Sequence, residues 1–245
     1  MNRFFIEKEN IADNAAVLYG DDVKHISSVL RLRIGDEVML CDGMGTDYRA
    51  KITALSKAVA RFELLSSAPA LTEPQCSVTL FQGLPKAGKL ETIIQKCVEL
   101  GISQIVPVAM ERSVVRLSKK DFDKKLERYQ RVAAEAAKQS RRGVIPRIGG
   151  LIEPKEIDSA EFDALLLAYE LEHENSVKDV LCGLNGSVRR IGVIVGPEGG
   201  ISDDEAALLT SLGAQPFSLG HRILRTETAG PAITAIIMYH MEGEA

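Results

Sequence analysis

No apolar run in this chain is long enough to cross a bilayer. The longest, Ala232 to Tyr239, falls well short of the roughly 20 residues that a membrane helix needs. The first ten residues hold Arg3, Glu7, Lys8 and Glu9 with no sustained apolar stretch, so they do not read as a secretory leader. A soluble, cytoplasmic protein is expected. Cysteine is scarce too. Cys41, Cys76, Cys97 and Cys182 lie far apart, with no Cys-x-x-Cys pair and no histidine cluster beside them, which excludes a zinc finger or disulfide framework and predicts reduced, mostly buried thiols. His25, His173, His221 and His240 show no metal-ligand spacing, so no metal is expected. Gly-x-Ser-x-Gly and Gly-x-Gly-x-x-Gly are both missing, which removes the common hydrolase and Rossmann dinucleotide readings. Nor is positive charge in excess: 30 basic against 34 acidic residues give a net charge of −4. Such a chain does not coat nucleic acid indiscriminately, and any contact with it must come from local basic clusters.

What is present falls into two rhythms. Over residues 1–68 short apolar runs alternate with turns: Phe4–Ile6, Ala16–Tyr19, Glu37–Cys41, Tyr48–Leu55 and Ala58–Leu65, with Gly35-Asp36 and Asp42-Gly43-Met44-Gly45 between them. This predicts a small β domain, read as a barrel. One helix is expected at Asp21–Leu32, with Val23, Ile26, Val29 and Leu30 on one face and Lys24, His25, Arg31 and Arg33 along a rim. The stretch SSAPALTEP is polar and carries two prolines, so residues 69–75 read as a linker. From residue 76 to 245 strands alternate with longer helices, which predicts βα units on a mainly parallel sheet. Strands are expected at Ser77–Gln82, Gln104–Ala109, Asp163–Ala168, Ile191–Val195 and Phe217–Leu219, and helices at Leu90–Leu100, Phe122–Gln139, Ser202–Leu212 and Thr228–Met241.

Three segments carry the functional signal. GLPKAGKLE, residues 83–91, has the Gly83, Gly88 and Lys89 spacing of a phosphate loop but puts Leu90 where the magnesium-holding hydroxyl belongs. A triphosphatase is thereby disfavoured. Leu90 instead begins an apolar helix stripe, and Lys86 and Lys89 are expected to meet an anion such as an RNA phosphate, so neutralising them is expected to weaken RNA binding and leave other ligands alone. IVGPEGGIS, residues 194–202, empties a buried strand into glycines and a capped helix, as a ligand-binding loop does. LGHRILRTETAG, residues 219–230, crowds Arg222, Arg225 and Glu227 against a nearly wholly apolar helix, at a helix N-terminus suited to a ligand's polar groups.

GPEGG followed downstream by LGHRILRTETA resembles the C-terminal motif pair of the SPOUT class of RNA methyltransferases. KLETIIQKCVELG and AAEAAKQSRRGVIPRI, behind a small β domain that starts at FFIE, resemble in particular the bacterial 16S ribosomal RNA uridine-N3 methyltransferase family. The resemblance spans essentially the whole chain. It implies an α/β protein with a PUA-like N-terminal RNA-binding β-barrel and a SPOUT domain whose C-terminal segment forms a deep trefoil knot. It implies a homodimer and S-adenosylmethionine as methyl donor. Carried over by position, the donor's contacts are Leu167, Ala168, Tyr169 and Glu170; Val195, Gly196, Pro197, Glu198, Gly199 and Gly200; Leu219 and Gly220; and Ile223, Leu224, Arg225, Thr226, Thr228 and Ala229. Arg225 is expected to stabilise charge on a uracil oxygen, with Glu227 orienting it or accepting the N3 proton. Arg31, Arg33, Lys86, Lys89, Arg112 and Arg142 are the expected contacts to 16S rRNA of the small ribosomal subunit. The alternatives are a 2′-O-ribose methyltransferase of the same class and a non-catalytic RNA-binding assembly factor.

Overall fold

The alternating apolar residues of the first 68 positions form strands, as period-two patterning requires. The computed structural model describes residues 1–86, 88–184 and 186–242. Six strands, β1 (Arg3–Phe5), β2 (Ile11–Ala12), β3 (Ala15–Tyr19), β4 (Glu37–Cys41), β5 (Thr46–Leu55) and β6 (Val59–Pro69), lie in the order β1-β4-β5-β6-β3-β2. β1 runs parallel to β4 and the other pairs are antiparallel. Phe4, Leu18, Val38, Leu40, Ala50, Ile52, Ala60 and Phe62 supply one buried cluster from these strands. The sheet keeps two edges, β1 and β2, so the expected barrel is not closed by hydrogen bonds among the described residues.

The helix expected at Asp21–Leu32 is cut short. α1 (Asp21–Lys24) passes into a π-helical stretch, His25–Val29, where Leu30 N donates to His25 O at 2.9 Å. The wider turn inserts a residue into the helical repeat and rotates the residues beyond it about the helix axis. Val23 and Ile26 therefore stay buried while Val29, assigned to the same face by its spacing, is 65% exposed. Arg31 then takes a left-handed φ of 54°.

The chain divides into two units, residues 1–73 with 137–145, and residues 74–136 with 146–242 of the described chain. This differs from the division at 69–75 read from the prolines. β6 runs on to Pro69, Ala70 N donates to Gly45 O at 2.8 Å, and Glu73 Oε1 accepts from Gly143 N at 2.6 Å and Val144 N at 3.1 Å. The backbone amides of Ala70, Gly143 and Val144 are thus satisfied inside the first unit.

In the second unit β7 (Ser77–Gly83), β8 (Gln104–Val108), β9 (Arg147–Ile148), β10 (Ala164–Ala168), β11 (Arg190–Val195) and β12 (Gln215–Phe217) form a sheet in the order β12-β10-β11-β7-β8-β9, parallel throughout. Five helices accompany them: α2 (Lys89–Glu99), α3 (Lys119–Gln139), α4 (Val177–Cys182), α5 (Asp203–Ser211) and α6 (Thr226–Glu242). α2 buries Leu90, Ile93, Ile94, Cys97 and Val98, the stripe its spacing predicts, and packs on α6. α5 carries the expected capping box between Ser202 and Glu205. Sequence reading missed α4 and β9. Ser176 and Asp179 cap α4 reciprocally, a Ser-x-x-acid signature that was there to be read. Among the described residues no helix is long and apolar enough to cross a membrane.

Candidate functional site

Register brings four strand ends of the parallel sheet into line. Ala168 pairs with both Val195 and Phe217, and Val195 pairs with Gln82. The segments that leave this carboxyl edge are residues 168–170, 195–200, 218–226 and 83–88, of which Ala87 lies outside the described residues. They include all three stretches assigned to a ligand by motif, at the edge where parallel α/β sheets place their sites.

The loop after β11 is held from three sides. A methyl group placed on Gly83 would lie 2.5 Å from Pro197 N, and one on Gly199 would lie 2.6 Å from Arg112 O. Neither position admits a side chain. Gly200 has a φ of +74°, and a methyl group there would collide with the Glu170 carboxylate. Glu170 Oε1 accepts from Ile201 N at 3.3 Å, and Arg112 Nη1 donates to Ile201 O at 3.2 Å. Tyr169 OH donates to Asp203 Oδ1 at 3.1 Å.

Behind the loop lies Gln82, wholly buried at the end of β7. Its Nε2 donates to Gly83 O at 3.1 Å and Thr226 Oγ1 at 2.9 Å, with Gly196 O at 3.5 Å. Thr226 Oγ1 donates to Gly196 O at 2.8 Å. The first turn of α6 is thereby tied to the loop after β11. Sequence reading missed Gln82; a lone amide closing the apolar run SVTLFQG was the available signal.

The phosphate-loop likeness of GLPKAGKLE dissolves at atomic scale. Pro197 occupies the space before Gly83, and Leu90 is buried at 3% exposure. Lys89 Nζ sits 2.9 Å from Glu227 Oε2 and 3.1 Å from Glu198 Oε1. Both Glu198 oxygens also accept from Lys86 N, at 3.1 and 3.3 Å. Burial raises the Glu198 carboxyl, but hydrogen bonds from the Lys86 and Glu198 amides and from Lys89 outweigh it and leave it below its ordinary value. The Lys89 hydrogen bond chiefly, with its own amide and the charges of Lys89 and Arg225, holds Glu227 below the usual range as well.

The other expected site residues separate by exposure. Leu167 and Val195 are buried within their strands, so they offer a ligand only backbone groups. Ala168 and Leu219 are half-buried. Gly220 has a φ of +104° and open space before it, and Ile223 beside it is 90% exposed. Leu224 is half-buried, Arg225 and Thr228 are exposed, and Thr226 and Ala229 are buried. A glycine that admits close backbone approach and an uncovered apolar side chain fit a flat heterocyclic ligand. Among the described residues no group of three or more His, Cys, Asp or Glu is placed to hold a metal.

The expected RNA contacts divide likewise. Arg31, Arg33, Lys86 and Arg112 are exposed. Arg142 departs from the expectation: it is 3% exposed and its Nη2 lies 2.6 Å from Glu73 Oε2. A guanidinium so paired and desolvated organises its own unit and does not face a phosphate.

Comparison with known proteins agrees with this layout. An RNA methyltransferase domain family matches residues 72–238, and an RNA methyltransferase PUA domain family matches residues 18–63. The ribosomal RNA small subunit methyltransferase E of Bacillus subtilis is 33% identical over 99% of this chain and 98% of its own length. A crystal structure of the enzyme of that name from Neisseria gonorrhoeae, bound to S-adenosyl methionine, is 31% identical, with a TM-score of 0.82 over 97% of this chain and 96% of that one. A Legionella pneumophila methyltransferase with the same bound cofactor is 26% identical, with a TM-score of 0.81 over 96% of each chain.

Proposed function

The chain belongs to the ribosomal RNA small subunit methyltransferase E family, and from that premise we propose that it transfers a methyl group from S-adenosylmethionine to N3 of a uridine in 16S rRNA. The observation that carries the reading is the register that aligns Gln82, Ala168, Val195 and Phe217, since it gathers the three motif loops on one edge. Residues 168–170, 195–200, 219–220, 223–226, 228 and 229 are the donor contacts in this reading, with Leu167 contributing backbone alone.

When bound, S-adenosylmethionine would supply a methyl group on a sulfonium leaving group, and uracil N3, its imide proton passed to solvent water, would be the atom that takes it. This chain's residues must align the base in line with the methyl–sulfur bond and favour the proton's loss. Arg225, exposed on the same loop as Gly220 and Ile223, is the donor to the uracil oxygen on which charge develops. Glu227 is held by Lys89, and a carboxylate so stabilised is a weak base, which disfavours it as proton acceptor. Extrusion of the base exposes N3, with Arg31 and Arg33 in the first unit and Lys86 and Arg112 in the second as phosphate contacts.

The same reading includes a C-terminal trefoil knot, a homodimer and a cytoplasmic site of action. The insertion of β11 between β10 and β7, and the Thr226 bond to Gly196, favour the knot. Ile236 and Tyr239, exposed on α6, favour a self-association face. The deciding experiment incubates the protein with methyl-labelled donor and undermethylated small subunits or naked 16S rRNA, then maps the label by mass spectrometry. Label on uracil N3 is expected; label on a ribose 2′-oxygen, or none, would sink the proposal.

A further inference from the structure

We propose that Lys89 is a positioning residue for the methyl donor, bracing the 195–200 loop against the first turn of α6, and is not an RNA contact. The inference rests on the donor reading of those two segments. Lys89 opens α2 directly after Gly88, whose φ is 86°. Its ammonium lies within 3.1 Å of Glu198, on the loop after β11, and 2.9 Å of Glu227, on α6. All three side chains are partly buried, at 29%, 18% and 23% exposure. One cation thus joins two carboxylates that would otherwise repel each other across a shielded gap.

The brace has an inner counterpart. Gln82 and Thr226 tie the same two segments from beneath, through Gly196 O and Thr226 Oγ1. Between the two ties Gly83 lies against Pro197, leaving the loop little room to move toward β7. A phosphate arriving at Lys89 would have to displace two carboxylates at hydrogen-bond distance, and charge-assisted bonds of that kind are the strong ones. Lys86 differs, because its backbone amide serves Glu198 while its side chain is exposed. The downward shifts of Glu198 and Glu227 and the upward shift of Lys89 keep all three groups ionised at neutral pH.

The test compares Lys89→Met, Lys89→Arg and a control, Lys96→Met, which removes a surface lysine paired among the described residues with Glu99 on the same helix. In donor-free protein, hydrogen exchange at the amides of residues 196, 198–201 and 227–230 is expected to quicken in Lys89→Met. Donor affinity by calorimetry is expected to fall about tenfold, with the affinity for 16S rRNA fragments unchanged. Lys89→Arg is expected to restore most of both losses. Glu227→Gln combined with Lys89→Met is expected to be no worse than Lys89→Met alone, since coupled residues are non-additive. Should Lys89→Met fail to fold, Lys89→Arg and Glu227→Gln carry the same readouts. Unchanged exchange and donor affinity with weakened RNA binding would overturn the proposal, as would equal effects in Lys96→Met. If the wild-type protein binds no donor, the donor reading fails by itself and the exchange difference alone decides the brace.

Discussion

Cys97 lies wholly buried on α2, 3.7 Å from the Thr234 hydroxyl, and burial pushes its thiol up to about 12. Cys182, by contrast, is exposed. Because the thiolate is the reactive form, iodoacetamide at pH 8 is expected to label Cys182 in the native protein, and Cys41, Cys76 and Cys97 only after denaturation. Peptide mapping checks this; native labelling of Cys97 would contradict it. Arg142 and Glu73 make the second argument at this scale. Their side chains are 4% and 18% exposed, and removing one partner of such a pair strands the other charge. Arg142→Ala is expected to lose about 3–5 kcal/mol in urea unfolding. Glu73 is raised by burial but lowered further by Arg142 and by the Gly143 and Val144 amides, so its net shift is downward from 4.5. A depressed carboxyl stabilises the fold above its unfolded value and loses that contribution as pH falls through the folded one. The stability gap between wild type and Glu73→Gln is therefore expected at pH 7 and should shrink below about pH 4.5. The identities of Arg142 and Glu73 were legible, but their pairing across 69 residues was not.

At the scale of elements, the turn after β7 and the loop after β11 interlock through glycines. A Cβ at Gly83 would meet backbone, which cannot swing aside as a side-chain tip can. Gly83→Ala is expected to weaken donor binding at least tenfold and to cost about 1–3 kcal/mol, whereas Gly186→Ala, with nothing within 4 Å, should change neither. Calorimetry and thermal unfolding decide; a silent Gly83→Ala would mean the loop is free to shift. Helix stripes and caps were well legible here, as in α2 and α5, because their causes lie within one or two turns of chain. The π-helical stretch at His25–Val29 was not. Its extra residue answers to the packing of Val23 and Ile26 on Phe4 and its neighbours in the core, which periodicity does not carry.

For the molecule as a whole, the return of residues 137–145 to the first unit has a consequence. A fragment ending at Glu73 lacks Arg142 and the amides that satisfy Glu73, and also Ile145, which lies against Gly43. Residues 1–73 alone are expected to unfold at lower urea than the same fragment with 137–145 attached by a flexible linker; equal midpoints by circular dichroism would refute this. The division at residues 69–75 was drawn from prolines and polarity, which mark where a chain turns and not where it comes back. By itself the sequence determined most of the longer strands and helices, the α5 cap, the buried stripe of α2 and the three glycine-bearing loops, since each arises from residues near one another along the chain. Only the tertiary structure decided that Lys89 faces Glu227, 138 residues away, that Gln82 ties Thr226 to Gly196, and that Arg142 is spent on Glu73. Those partners are set by strand order and crossover, which bring distant charges together or keep them apart irrespective of local pattern.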